Sequence, residues 1–465
     1  LIWINEYHNP PWVYLMSKGL NLPLPTNKRQ TAEFQDQICL SNRVKSCGFE
    51  KNISKLRSIH AEIANKSLIS KDIHLATALL RTYAKCGALK EAQEVFEEIP
   101  VKDVVSWTAL IAGYAENGFE HEAMKYYIQM QDKGILPDGV TYVRILKICG
   151  ILGSLEIGRD IDNKVRKQGL LQKDIVLGNA LVDMYAKCGL LAKAQEIFDN
   201  LKSKDIVSYN ALLLGCIKHG RNHQSMECFK QMQCDGIAPD AVTFLCMLKA
   251  CGNIGAVETG ERLHMDIVEE GLLLDRDLGI GNALVDMYAR CGLLSKAHHL
   301  FNELPVRDII TWTTLIAGYA QLGEYEKVVS TFEHMRGESV LPSSITFVSV
   351  LNVCTHGGLV EMGELYFRAM ATDYNINPAL EHYTCLIDLF CRADQLCKAI
   401  WLIENMPSHP DLVVWHTLLG ACQRWSDVDL GRRVFKHVVQ LDEKNPSSYV
   451  FMSNVFVDHE DICRY

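Results

Sequence analysis

The sequence predicts an all-α protein, a right-handed superhelical solenoid of helix-turn-helix repeats. Three observations predict it. The chain repeats itself: Cys86, Cys188 and Cys291 stand 102 and 103 residues apart, and Cys149, Cys251 and Cys354 show the same two spacings. The surroundings of these cysteines recur as YAKCG from Tyr83, YAKCG from Tyr185 and YARCG from Tyr288, so the period belongs to whole segments. Within each period, apolar stripes of helical spacing alternate with Gly and Pro punctuation.

The segments align in order. VSWTALIAGYA from Val105, VSYNALLLGCI from Val207 and ITWTTLIAGYA from Ile310 match without gaps, and GILPD, GIAPD and SVLPS close at Asp138, Asp240 and Ser343. In the unit 104–138, Trp107, Leu110, Ile111, Tyr114 and Ala115 fall at i, i+3, i+4, i+7 and i+8, an amphipathic helix. Gly118 stops it in a left-handed turn. A second helix follows with Ala123, Tyr127 and Met130 on its apolar face, ended by Gly134 and kept from continuing by Pro137. Such a pair cannot bury both faces alone, so neighbours must stack into a continuous core that leaves a concave groove.

Composition narrows the function. The 465 residues are 48% hydrophobic and 22% charged, which excludes wholesale disorder. The longest uncharged run, residues 339–360, contains a proline, paired glycines and many hydroxyls, so no membrane span and no membrane partner are expected. With 47 basic against 56 acidic residues the net charge is −9, which argues against binding driven mainly by counterion release. The 17 cysteines include no C-x-x-C pair, so zinc-ribbon and redox readings lose their support. The recurrent cysteines read as reduced, buried packing residues, Cys86, Cys188 and Cys291 included. Trp107, Tyr209 and Trp312 read as core on the same apolar stripe.

The units resemble the plant pentatricopeptide repeat proteins, specifically the subclass that alternates standard, long and short motifs. Units 104–138, 206–240 and 309–343 look like standard motifs. Units 139–174, 241–277 and 344–379 look like long ones, with one more at about 38–72. Units 73–103, 175–205 and 278–308 look like short ones, carrying the MYAKCG or YARCG signature. The unit 380–411 looks like the variant short motif that ends such arrays. WHTLLGAC from Trp415 then resembles a first E motif at 412–445, and YVFMSNVF from Tyr449 the start of a second. The expected organisation is an N-terminal segment 1–37, an array of about eleven motifs over 38–411, and an E region 412–465. The second E motif stops after 20 residues and the chain begins with Leu1, so both ends read as truncated. The segment 1–37 reads as a remnant of a targeting region: Leu1 to Arg29 is poor in acidic residues, as a transit peptide would be, but has few Arg and Ser.

Enzyme signatures are missing. The family can end in a cytidine deaminase, whose zinc chemistry needs H-x-E and a downstream P-C-x-x-C. His60-Ala61-Glu62 fits the first, but no cysteine follows a proline. No Gly-Lys dipeptide, G-x-S-x-G or G-x-G-x-x-G occurs. No cofactor, metal site or catalytic residue is expected.

Binding should sit at positions that recur in place but vary in identity. The fifth residue of each unit is one: Thr77, Thr108, Asn179, Asn210, Asn282, Thr313 and Thr384. Each is short, polar and able both to donate and to accept hydrogen bonds, off the apolar stripe of its helix. The last residue is another: Asp103, Asp138, Asp205, Asp240, Asp308 and Asp411, with Ser343 in one unit. From the pattern alone these aspartates are either N-caps of the next helix or ligand contacts. The resemblance implies that fifth and last residues jointly read one base of single-stranded RNA per repeat. It places an apolar wedge between bases at position two, Val105, Val207 and Ile310. Long motifs carry Val143, Leu245 and Val348 at position five and are expected to act as spacers. The implied order is 5′-GG-x-UU-x-U-purine-x-G-3′. The implied function is site specification for C-to-U editing in a mitochondrion or chloroplast. The implied partners are a cytidine deaminase domain protein and multiple organellar RNA editing factors, engaged through the E region. Two alternatives stay open: a protein-binding scaffold of tetratricopeptide type, which the net negative charge favours, and a fragment of a protein with its own deaminase domain.

Overall fold

Helix starts are set by the residue that ends each unit. Aspartate or serine at that place takes extended backbone and accepts a hydrogen bond from the third N–H of the following helix, as Asp103 does from Ser106 at 2.8 Å. First helices begin in this way at Ile73, Val104, Gly139, Ile175, Ile206, Ala241, Ile309, Ser344 and Leu412; two more begin at Leu278 and at Leu380, whose preceding Ala379 has no side chain to cap with. They end where glycine supplies a positive φ, Gly118 at 79° after the helix Val104–Glu116 and Gly153 at 68° after Gly139–Leu152. The computed structural model describes residues 28–462 apart from 172–173, 274–277 and 443–444, and these hold 25 helices and no strand. The protein is all-α. No described helix is long and apolar enough to cross a membrane.

The chain forms two compact blocks, Leu1–Lys204 and Asp205–Tyr465. In the N-terminal block the first helices Ile73–Lys85, Val104–Glu116, Gly139–Leu152 and Ile175–Lys187 pack each on the next, forming one layer. Their second helices, such as Leu89–Glu98 and Glu120–Asp132, pack on their own first helix and on the following one, forming the other layer. The C-terminal block repeats this from Ile206–Lys218 to Pro446–Ile462. Each block is thus a solenoid of helix pairs. The difference between 31- and 35-residue units lies in the second helix, 10 residues in Leu89–Glu98 and 13 in Glu120–Asp132, close to one turn.

The predicted stripes form most of the core, although Tyr114 and Ala115 are only half-buried. Trp107, Leu110, Ile111, Ala123, Tyr127 and Met130 are buried, and so are Tyr209 and Trp312. Trp107 stands edge-on to Phe96 of the preceding repeat at 4.8 Å, and Trp312 to Phe301 at 4.7 Å, the same contact in the two blocks. Two expectations change. Cys149, Cys251 and Cys354 are buried, but Cys86, Cys188 and Cys291 are only half-buried. Cys86 and Cys188 are C-cap residues, placed where their helices open to solvent. The helix Lys28–Glu50 begins upstream of residue 38, so residues 28–37 extend it; residues 1–27 of the N-terminal segment lie outside the described residues.

Candidate nucleic-acid interface

At four junctions between repeats a fifth residue, the last residue of its own unit and the third residue of the next helix come together. At Asn210 the set is complete. Its amide Nδ2 donates to Asp240 Oδ1 at 3.0 Å, and its Oδ1 accepts from the Thr243 hydroxyl at 2.7 Å. The Thr243 hydroxyl also lies 3.0 Å from Asp240 Oδ1, yet it has one proton to give. The proton goes to Asn210 Oδ1 or to Asp240 Oδ1, and Asp240 Oδ1 already accepts from Asn210 Nδ2 and from Thr243 N. Every one of these bonds to Asp240, with that from Thr243 N at 2.9 Å, falls on Oδ1.

The other junctions vary this theme. Thr108 Oγ1 lies 2.6 Å from Thr141 Oγ1 and donates to Val104 O at 2.7 Å, while Thr141 reaches Asp138 Oδ1. Thr313 Oγ1 meets Thr346 Oγ1 at 2.7 Å, beside the cap Ser343. Asn282 Nδ2 donates to Asp308 Oδ1 at 3.4 Å, while its Oδ1 is buried without a hydrogen-bond partner, because Thr311 directs its hydroxyl to Asp308. Partial burial works against ionisation of Asp308, but the bonds from Thr311 and Asn282 outweigh it and hold its carboxyl below the usual range. Thr77 lies buried in the helix Ile73–Lys85, and Asn179 in Ile175–Lys187. Thr384 donates to Leu380 O, and Asp205 and Asp411 cap the helices that follow them.

The fifth residues differ from their sequence expectation in exposure. Thr77, Thr108, Asn179, Asn210 and Asn282 are 6–8% exposed, within the core instead of clear of it, while Thr313 and Thr384 are half-buried. The aspartates are N-caps, so capping belongs to any account of their role. Position two behaves otherwise: Val207 and Ile310 are 56% and 59% exposed and Val105 is half-exposed. The structure adds Val140, Val176, Val242 and Ile345 to this exposed row. It also adds the third-position hydroxyls Thr141, Thr243, Thr311 and Thr346. Both were visible in sequence as the recurrent VT and VS after the terminal residue, but without a partner in view they read only as helix starts. His60 and Glu62, the formal deaminase match, are engaged elsewhere: His60 Nδ1 with Tyr83 OH at 3.0 Å, Glu62 with Arg43 and Lys66.

These features define a class first: a helical-repeat protein that presents one polar junction and one exposed apolar residue per repeat. The comparisons name it. The PPR repeat family model matches residues 102–150, 204–253 and 307–356, and the PPR repeat model matches 76–104, 179–206, 282–309 and 381–409. A pentatricopeptide repeat-containing protein of Arabidopsis thaliana is 35% identical over 426 residues, 90% of this chain and 75% of the relative. A mitochondrial one from the same plant is 36% identical over 391 residues, 84% of this chain and 56% of the relative. The chain belongs to the pentatricopeptide repeat family. It spans about half the length of several of the curated relatives it matches. Three relatives in this plant are named as mitochondrial and one as chloroplastic. The fold matches that of PPR10, solved in complex with an 18-nt psaJ RNA element, with a TM-score of 0.66 at 19% identity over 87% of this chain and 61% of that one.

Proposed function

We propose that this chain binds single-stranded RNA in sequence, one base per repeat, and so specifies sites for C-to-U editing in a plant organelle. Standard, long and short motifs alternate over 38–411. The segment 412–465, read as E motifs, recruits a cytidine deaminase domain protein and organellar editing factors in trans. The observation that carries the reading is the junction at Asn210, where a single hydroxyl proton serves two acceptors. An unpaired uracil offers an N–H between two carbonyl oxygens: the N–H can donate to an amide or carboxylate oxygen of the junction while the Asn210 amide donates to a carbonyl. Exchanging internal bonds for bonds to a base keeps the number of hydrogen bonds constant, so a nearly buried side chain reads without a large penalty. The exposed Val207 and Ile310 then lie against the faces of neighbouring bases. The reading favours RNA over a protein ligand because a protein groove has no need to restrict position five to Asn and Thr.

The order of preference follows as 5′-GG-x-UU-x-U-purine-x-G-3′, with Thr77 and Asp103 at its 5′ end and Thr384 and Asp411 at its 3′ end. The test is Asn210→Thr. Binding should move from U to G at the fifth base, with a loss on the original RNA of roughly 1–3 kcal/mol, the size of a direct base-edge contact. Equal weakening on all RNAs, or none, would make Asn210 a capping and packing residue only.

A further inference from the structure

The helix pair Leu412–Arg424 and Val428–Leu441, with Pro446–Ile462 packed on it, lies beyond the last array motif. The sequence assigns this segment to protein recruitment, yet its side chains rebuild the junction of the array. His416 is the fifth residue of its unit, the place of Thr108, Asn210 and Thr313. Its Nε2 lies 2.8 Å from the hydroxyl of Ser448, which is fully buried and third in the next helix, the place of Thr141, Thr243 and Thr346. Asn445 stands where the terminal aspartates stand, and its Oδ1 accepts from Ser447 N at 3.0 Å. Val413, at position two, is 58% exposed and matches Val207 and Ile310. Trp415 takes the place of Trp312 and stacks on His437 at 4.6 Å. A pair that met only proteins has no physical need to keep an exposed valine, a polar fifth residue and a buried hydroxyl partner in this one register.

We propose that 412–445 is itself an RNA-reading unit. His416 and Asn445 contact one unpaired base, next on the 3′ side of the base read by Thr384, with Val413 against its face. The imidazole carries one donor and one acceptor when neutral, so Ser448 can turn one ring nitrogen inward and leave the other to the base. The inference rests on the base-reading function proposed above.

The experiment measures binding of the full chain to four RNAs, 5′-GGAUUAUAAGN-3′, that differ only at N. Wild type should separate them by about fivefold or more, the scale of one base-edge contact. His416→Ala should remove that separation, yet bind the RNA lacking N as wild type does, which shows the variant folded. His416→Asn, which can still bond Ser448, should change the preferred base. A U-to-G change at the fifth base, read with Asn210→Thr, reports separately on the array. If the array discriminates but wild type binds all four RNAs alike, or His416→Ala keeps the preference, the inference is overturned. If discrimination fails at both positions, the base-reading function falls and takes this proposal with it.

Discussion

Cys149 and Cys86 show how cysteines of two recurrent sets acquire different chemistry. Burial pushes the Cys149 thiol up to about 12 and those of Cys251 and Cys354 to about 11, so almost no thiolate is present near neutral pH. Cys86 is also raised by burial, but it stands half-buried at a helix end with its Sγ toward Cys47 O. Alkylation of the native protein, followed by peptide mass spectrometry, should label Cys86, Cys188 and Cys291 well before Cys149, Cys251 and Cys354. Equal rates for the two sets would mean that the packing faces assigned here are wrong. Sequence periodicity identified both sets as recurrent and helical, but the two differ by only a fraction of a turn in facing. That difference depends on the neighbouring repeat, which no local pattern contains.

At the scale of the element, close approach of first helices sets which residues the layer tolerates. A Cβ on Gly113 would sit 2.6 Å from Ala84 Cβ of the preceding repeat, and one on Gly318 would meet Ala289 Cβ at the same distance. Gly113→Ala should therefore force the two helices apart and cost about 1–3 kcal/mol, as overpacked cores do. Denaturant midpoints check this, with the double variant Gly113→Ala, Ala84→Gly expected to recover part of the loss. A midpoint unchanged by Gly113→Ala would contradict the close packing. The helix pairs, their punctuation and their buried stripes were legible in the sequence because each rests on local period and turn chemistry. The burial of the fifth residues was not, since Asn210 is covered by Asp240 and Thr243, 30 and 33 positions away in the chain. The caps were legible as one of two readings. The structure gives the aspartates that role, as at Asp240, whose Oδ1 accepts from Thr243 N at 2.9 Å.

For the whole molecule, a net charge of −9 means that long-range attraction to a polyanion is weak. Under the proposed function, affinity for RNA is gathered repeat by repeat, from short-range contacts at junctions such as Asn210–Asp240 and from apolar rows such as Val207, Val242, Ile310 and Ile345. A protein that binds in this way discriminates among sequences more than it attracts RNA in general. Recovery of bound sequences from a random RNA pool by the purified chain tests this most directly. The account predicts enrichment of one motif in which the order GG-x-UU-x-U-purine-x-G can be read from 5′ to 3′. A pool that stays random after selection, or an enriched motif unrelated to that order, would contradict it.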